Sequence, residues 1–136
     1  MLRIEVGGFQ LRARWEEARS PRTVAFVRTM LPYESTLIQA RWSGQAGWIP
    51  MGDFDVRDLG PEDPTSYPAP GELLLYPGGV SEVEILFPYG QTCFASKAGQ
   101  LAGNHFATLV EGVEHLPEIG ERVLWQGAQE IRFTAG

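Results

Sequence analysis

The amino-acid sequence predicts a mainly β protein: a small closed β-barrel with one main α-helix, at about 21–31, and a short helical turn, at about 113–116. Three observations carry this. Apolar and polar residues alternate with a period of two from one end of the 136 residues to the other, the pattern of strands with one face buried. The chain holds 16 glycines and 10 prolines. Helix interiors tolerate them poorly, at ~1 and ~3 kcal/mol each, whereas turns between strands use them. Strands lie near both termini, and closing the sheet would remove the exposed edges that invite aggregation. A β-sandwich is the physical alternative.

Along the chain, Ile4 and Val6 alternate with Arg3 and Glu5, and Leu11, Ala13 and Trp15 with Arg12 and Arg14. Gly7-Gly8 between these runs suits a hairpin turn. Ser20 can cap the helix, Pro21 suits its first turn, Val24, Val27 and Leu31 recur at helical spacing, and Pro32 stops it. Its apolar stripe is expected to plug one end of the barrel. Thr36 to Trp42 reads as a strand with Ile38, Ala40 and Trp42 facing the core and Gln39 and Arg41 facing out. A long irregular segment from about Gly52 to Pro70 follows, of the kind that is often functional or mobile. Glu72 to Phe87 reads as one hairpin, with Pro77-Gly78-Gly79 supplying a type II turn and Val83, Ile85 and Phe87 alternating with Glu82 and Glu84. His105 opens a strand with Ala107 and Leu109 on its face. A helical turn around Val113 to Leu116 is expected to end at Pro117, and Ile131 and Phe133 alternate with Glu130 and Arg132 in the last strand.

With 43% hydrophobic residues, residues 1–136 have the apolar material for one core and one domain. A net charge of −6, with eleven scattered basic residues, argues against nucleic acid as a partner. The lone Cys93 cannot form an internal disulfide. The N-terminal residues lack the apolar run of a signal peptide, and no stretch approaches the ~20 apolar residues of a membrane span. A cytoplasmic protein is expected. His105, His115 and Cys93 show no metal-ligand spacing, and no glycine-rich phosphate loop is present, so neither metal nor cofactor is called for.

Several blocks carry a resemblance: Glu62-Asp63-Pro64-Thr65-Ser66-Tyr67, Pro70-Gly71-Glu72-Leu73-Leu74-Leu75-Tyr76-Pro77-Gly78-Gly79, Glu84-Ile85-Leu86-Phe87-Pro88-Tyr89-Gly90, and Ser96-Lys97-Ala98-Gly99-Gln100-Leu101-Ala102-Gly103-Asn104-His105-Phe106. Together with Arg41-Trp42-Ser43-Gly44 and Trp125-Gln126-Gly127-Ala128-Gln129, they resemble a bacterial family of small uncharacterised proteins with a cyclophilin-like fold, of the domain of unknown function 3830 type. The resemblance implies the barrel and no particular activity. Cyclophilins proper are prolyl isomerases with an arginine on a strand after the first helix, which Arg41 resembles by position. His105 is similar, more distantly, to a histidine near their pocket. The phenylalanine and glutamine that follow that arginine in cyclophilins have no counterpart here.

The candidate site residues are Arg41, Glu62, Tyr89, Lys97, Gln100, Asn104 and His105. An outward arginine offers a planar fork for carboxylate or phosphate. Lys97, the only lysine, would add anion-binding charge or, if desolvated, an imine-forming nucleophile. Gln100 and Asn104 sit among glycines that let backbone amides approach a ligand. His105 suits acid–base work, alone or paired with Cys93. Glu62 would orient Arg41 or act as a base, and Tyr89 occupies a loop position. Three readings follow. One is a small-molecule site for an anionic metabolite, with Arg41, His105 and Lys97 as catalytic candidates if it is transformed. The second is prolyl isomerisation. The third is a non-catalytic interaction or homo-oligomerisation module using Trp42, Trp48 and Tyr67.

Overall fold

The alternating residues face the way their period demands. Leu2, Ile4, Val6, Leu11, Ala13, Ile131 and Phe133 are all buried in one core of 22 residues, while the charged residues between them lie outside. The computed structural model describes all 136 residues. Eight antiparallel strands close into a barrel in the order β1 (Leu2–Val6), β10 (Gln129–Ala135), β3 (Tyr33–Gln39), β4 (Gly44–Pro50), β6 (Glu84–Thr92), β5 (Glu72–Tyr76), β9 (Asn104–Glu111) and β2 (Phe9–Trp15). Closure comes from the two ends of the chain, where Ile4 pairs with Phe133 and Val6 with Ile131. Two further short strands, β7 (Ala95–Ser96) and β8 (Gly99–Gln100), form a separate hairpin.

Helix α1 (Pro21–Met30) buries Thr23, Val24 and Val27. Its Phe26 meets Phe54, which in turn meets Tyr33 at the start of β3. A second helix, α2 (Leu116–Gln126), packs on β3, β4 and β6 and lies against Tyr89, whose hydroxyl reaches Gln39 at the far end of β3. The two helices therefore close opposite mouths of the barrel. The sequence predicts only a helical turn before α2. Pro117 stands in the first turn of the helix, where its missing N–H costs nothing, and Leu116, Ile119 and Val123 supply a buried stripe. The turn Val113–His115 merely leads into it. No helix is long and apolar enough to cross a membrane.

Three further expectations need correction. Ser20 does not cap α1 through its side chain; its hydroxyl donates to the Glu62 carbonyl at 3.3 Å. The connection from β5 to β6 is the whole loop from Pro77 to Val83, because Tyr76 pairs directly with Glu84. The Tyr76 hydroxyl organises that loop by accepting from the N–H groups of Val80 and Ser81, at 2.9 and 3.3 Å. Strand β3 ends at Gln39, and it is Leu37, not Ile38, that enters the main core. Arg41 and Trp42 consequently stand in the β3–β4 turn, with Trp42 51% exposed.

The outer face of β4, β5 and β6 is also covered. Leu74, Tyr76 and Leu86 point away from the barrel and form a second cluster with Ala40, Ala46, Phe94 and Leu101. The segment from Phe94 to Gly103 lies across them. It is tied down by Phe94 N–H to the Ser66 carbonyl at 2.7 Å, and by paired bonds between Thr65 and Gly103 at 3.0 Å. The irregular stretch before β5 is thus a strap held by backbone bonds.

Candidate functional site

The chain from Cys93 to Lys97 decides which outward residues become a site. Ser43, in the β3–β4 turn, accepts from the Ala95 N–H and donates to the Ala95 carbonyl, both at 3.1 Å, and its own carbonyl accepts from Cys93 N–H. These bonds hold the turn carrying Arg41 against the β7–β8 hairpin, whose tip carries Lys97. Between them lies a pocket of about 320 Å³ lined by Arg41, Trp42, Trp48, Glu82, Glu84 and Lys97, with Ser43, Ser81 and Ser96. The Arg41 guanidinium stacks on the Trp42 ring at 5.3 Å from its centroid.

The charges in this pocket are unusual for the molecule. Eight of the eleven basic residues are ion-paired with a carboxylate within 4.0 Å. The exceptions are Arg3, Arg41 and Lys97, so two of the three unpaired cations face one small cavity. On the pocket wall Glu84 is only 8% exposed. Burial, together with the neighbouring charge of Glu82, pushes its pKa up to about 8. The pocket at neutral pH therefore contains two cations, one carboxylate and one neutral acid.

The other sequence candidates lie elsewhere. Glu62 sits at the start of α1, where its carboxylate accepts from Thr23 N–H at 2.7 Å, Thr23 Oγ1 at 2.8 Å, Arg22 N–H at 3.1 Å and Arg22 Nε at 3.3 Å. Burial pushes its pKa up, but these bonds outweigh burial and hold it below the usual carboxylate value. Asn104 completes the same knot. Its Oδ1 accepts from Glu62 N–H at 2.8 Å, and its Nδ2 donates to Thr23 Oγ1 and the Gly60 carbonyl. Both residues are fully occupied in fastening helix, strap and barrel. Gln100 is exposed on β8, near the Tyr67 hydroxyl.

His105 faces the opposite way from Ala107, against the strict alternation. Leu73 pairs with Ala107 and Leu74 with His105, so Phe106 is an extra residue, a bulge that turns His105 outward while Ala107 stays in the core. Its Nδ1 lies 2.7 Å from an Arg19 Nη1 donor, which leaves Nε2 to donate to Thr108 Oγ1 at 2.7 Å. Thr108 passes its own proton to a hydrogen bond with Glu16 at 2.5 Å. Burial lowers the His105 pKa, partly opposed by Glu72. Both ring nitrogens are engaged, and neither serves the exposed Cys93.

Tyr89 belongs to the α2-covered mouth. Burial raises its pKa, and its hydroxyl donates to Gln39 Oε1 at 2.6 Å. Gly120 of α2 makes room for it, since a Cβ there would overlap the Tyr89 ring. Gly120→Ala sets a gain in helix propensity of ~1 kcal/mol against an overpacking cost of ~1–3 kcal/mol. The expected outcome is a melting temperature lower by a few degrees; an unchanged or higher value would show that the ring moves aside freely.

A larger groove of about 950 Å³ runs over β1, β10 and β3, but it is acidic, with Glu5, Glu34 and Glu130, and its one arginine, Arg132, is paired to Glu34 at 3.3 Å. It brings together neither unpaired cations nor a buried acid.

With this geometry in place, comparison with known proteins gives the lineage. The family Protein of unknown function (DUF3830) matches residues 2–135. The chain belongs to DUF3830. No curated protein matches it in sequence. Among solved structures, that of McbB in complex with tryptophan is similar, with a TM-score of 0.81 and 19% identity over 98% of this chain. The DUF3830 chain spans 44% of McbB's length, less than half of it. At that identity the likeness shows the fold, which is the cyclophilin-like barrel. The cyclophilin parallel for Arg41 does not extend to its setting, since this arginine stands in a turn and not on a strand.

Three residues of the pocket escape a reading of the sequence. Glu82 and Glu84 look like solvated members of an alternating strand, and Trp48 like an interface residue. The available signal was the run Leu73 to Tyr76, apolar on both faces, which marks a strand covered on both sides.

Proposed function

We propose that this DUF3830 protein binds a small carboxylate-bearing metabolite in the pocket between the β3–β4 turn and the β7–β8 hairpin. One observation carries the reading: in a chain of net charge −6 where most cations are neutralised, Arg41 and Lys97 are left unpaired on the same cavity. Arg41 offers two parallel donors to a carboxylate, and its stacking on Trp42 limits the orientations the fork must give up on binding. Trp42 and Trp48 supply flat apolar walls for the body of the ligand. That McbB, a protein containing this fold, has a structure in complex with tryptophan supports a carboxylate-bearing ligand of about this size.

The test is thermal unfolding with a panel of small mono- and dicarboxylates at neutral pH. Ligand at ~100 times its dissociation constant stabilises by ~2.7 kcal/mol, a shift of several degrees. Arg41→Ala is expected to abolish the shift, while Arg3→Ala, which removes the unpaired cation outside the pocket, retains it. A panel without any shift, or a full shift in Arg41→Ala, overturns the proposal. A proline-isomerisation assay on a peptide, in which Arg41→Ala matched a fully active wild type, would also place the arginine outside any isomerase site.

A further inference from the structure

From the same pocket, and resting on the reading just given, we infer that Glu84 binds the ligand as a neutral acid, donating its proton in a hydrogen bond to an uncharged oxygen, so that the preferred ligands are oxo- or hydroxy-carboxylates and not amino acids.

The geometry carries this. Glu84 lies on the outer face of β6, between Tyr76 of β5 and Pro50 of β4, its partners in the sheet. The residue is only 8% exposed, and no hydrogen bond from the protein reaches its carboxyl, which lines the cavity. The carboxyl oxygens open into the cavity, so a molecule bound there can reach them. None of the groups around it hydrogen-bonds to it. From β5, the Tyr76 hydroxyl is taken up by Val80 and Ser81. From the β5–β6 loop comes Glu82, a like charge. From β4 come Trp48 and Pro50, neither titratable. Arg41, from the β3–β4 turn, and Lys97, from the β7–β8 turn, line the same cavity, yet neither pairs with the carboxyl or offsets its burial.

A carboxylate held by the two cations therefore meets, on another wall, an acid that keeps its proton at neutral pH. The complement of that acid is an oxygen acceptor. An ammonium group would instead need Glu84 ionised, and would bind better as the pH rises. The two classes are thus separated by the sign of the pH dependence.

The experiment uses four probes that share one body and differ only at the second carbon: phenylpyruvate, phenyllactate, phenylalanine and phenylpropionate. Their dissociation constants are measured by calorimetry at pH 7 and pH 9. Phenylpyruvate or phenyllactate is expected to bind at least tenfold more tightly than phenylpropionate at pH 7, with phenylalanine weaker than both. With a Glu84 pKa of about 8, its protonated fraction falls about tenfold between pH 7 and pH 9, and affinity falls with it. Glu84→Gln keeps a donor but cannot ionise, so its binding should be flat over this range, while Glu84→Leu should lose the preference for the oxygen-bearing acids. If Glu84→Gln falls with pH as the wild type does, or if phenylalanine binds best and improves at pH 9, the inference is wrong while the carboxylate site stands. If no probe and no acid of the wider panel binds, both fall together.

Discussion

Replacing Glu84 with glutamine is expected to stabilise the protein, and increasingly so as the pH rises from 5 to 8. The unfolded side chain loses its proton near 4.5, the folded one near 8. Between those values the native state holds a proton that the unfolded state has released, so stability falls with rising pH and levels off above 8. At pH 7 the interval is about 2.5 units, or ~3 kcal/mol. Glu84→Gln removes this dependence while keeping size and polarity. For a chain of this length, the difference in melting temperature should be on the order of 10 °C at pH 7 and small at pH 5. Parallel melting curves for the two proteins across this range would show that the carboxyl is solvated and titrates normally.

The expectation sharpens because no structural gain offsets the burial of Glu84. It caps nothing, pairs with nothing and fills a place between Pro50 and Tyr76 that an apolar residue could occupy. Natural proteins sit just above the stability they need, and residues that lower it without structural return are concentrated where binding or chemistry occurs. The same reasoning applies to Arg41 and Lys97, cations left unpaired in an acidic chain. Three such residues around one cavity, supplied by three different loops and strands, are more informative together than any one of them alone.

The barrel was legible because its determinant is local. Ile4, Leu11, Ile85 and Ile131 each belong to a period-two run, and a shift of register would bring arginines and glutamates into the core. Helix α1 was legible for the same reason, whereas α2 was obscured by Pro117, which punctuates a helix start as readily as a stop. The site was legible only in part. Arg41 and Lys97 are found together as expected, but through the Ser43–Ala95 hydrogen bonds, which no spacing announces. His105 was placed on the wrong face because the Phe106 bulge has no sequence signature. Glu62 and Asn104 stand out as polar residues among glycines and prolines, but their partners on α1 are the amide and the hydroxyl of Thr23, about forty and eighty residues away. What long-range packing decides, short-range pattern does not contain.

Glu62 is the counterpart of Glu84, and its removal should have the opposite effect. Helix α1 begins with backbone N–H groups that have no partner inside the helix, and Ser20 does not supply one. The Glu62 carboxylate reaches across from the strap to accept from two of them, Arg22 and Thr23, and binds the Thr23 hydroxyl as well. It also lies at the helix end where negative charge is favoured. Glu62→Ala leaves these donors without their shared acceptor in a nearly dry site, a loss of ~3 kcal/mol by the usual worth of charged hydrogen bonds. A fall in melting temperature on the order of 10 °C at pH 7 is expected. Because the folded pKa lies below the unfolded one, this stabilisation is present above about pH 4.5 and is lost as the pH drops through the folded value. The wild type and Glu62→Ala should therefore converge in strong acid, whereas the wild type and Glu84→Gln should converge near pH 5 and diverge towards pH 8. A gap for Glu62→Ala that persists undiminished in strong acid would mean that packing around the strap, and not the carboxylate, holds the helix in place.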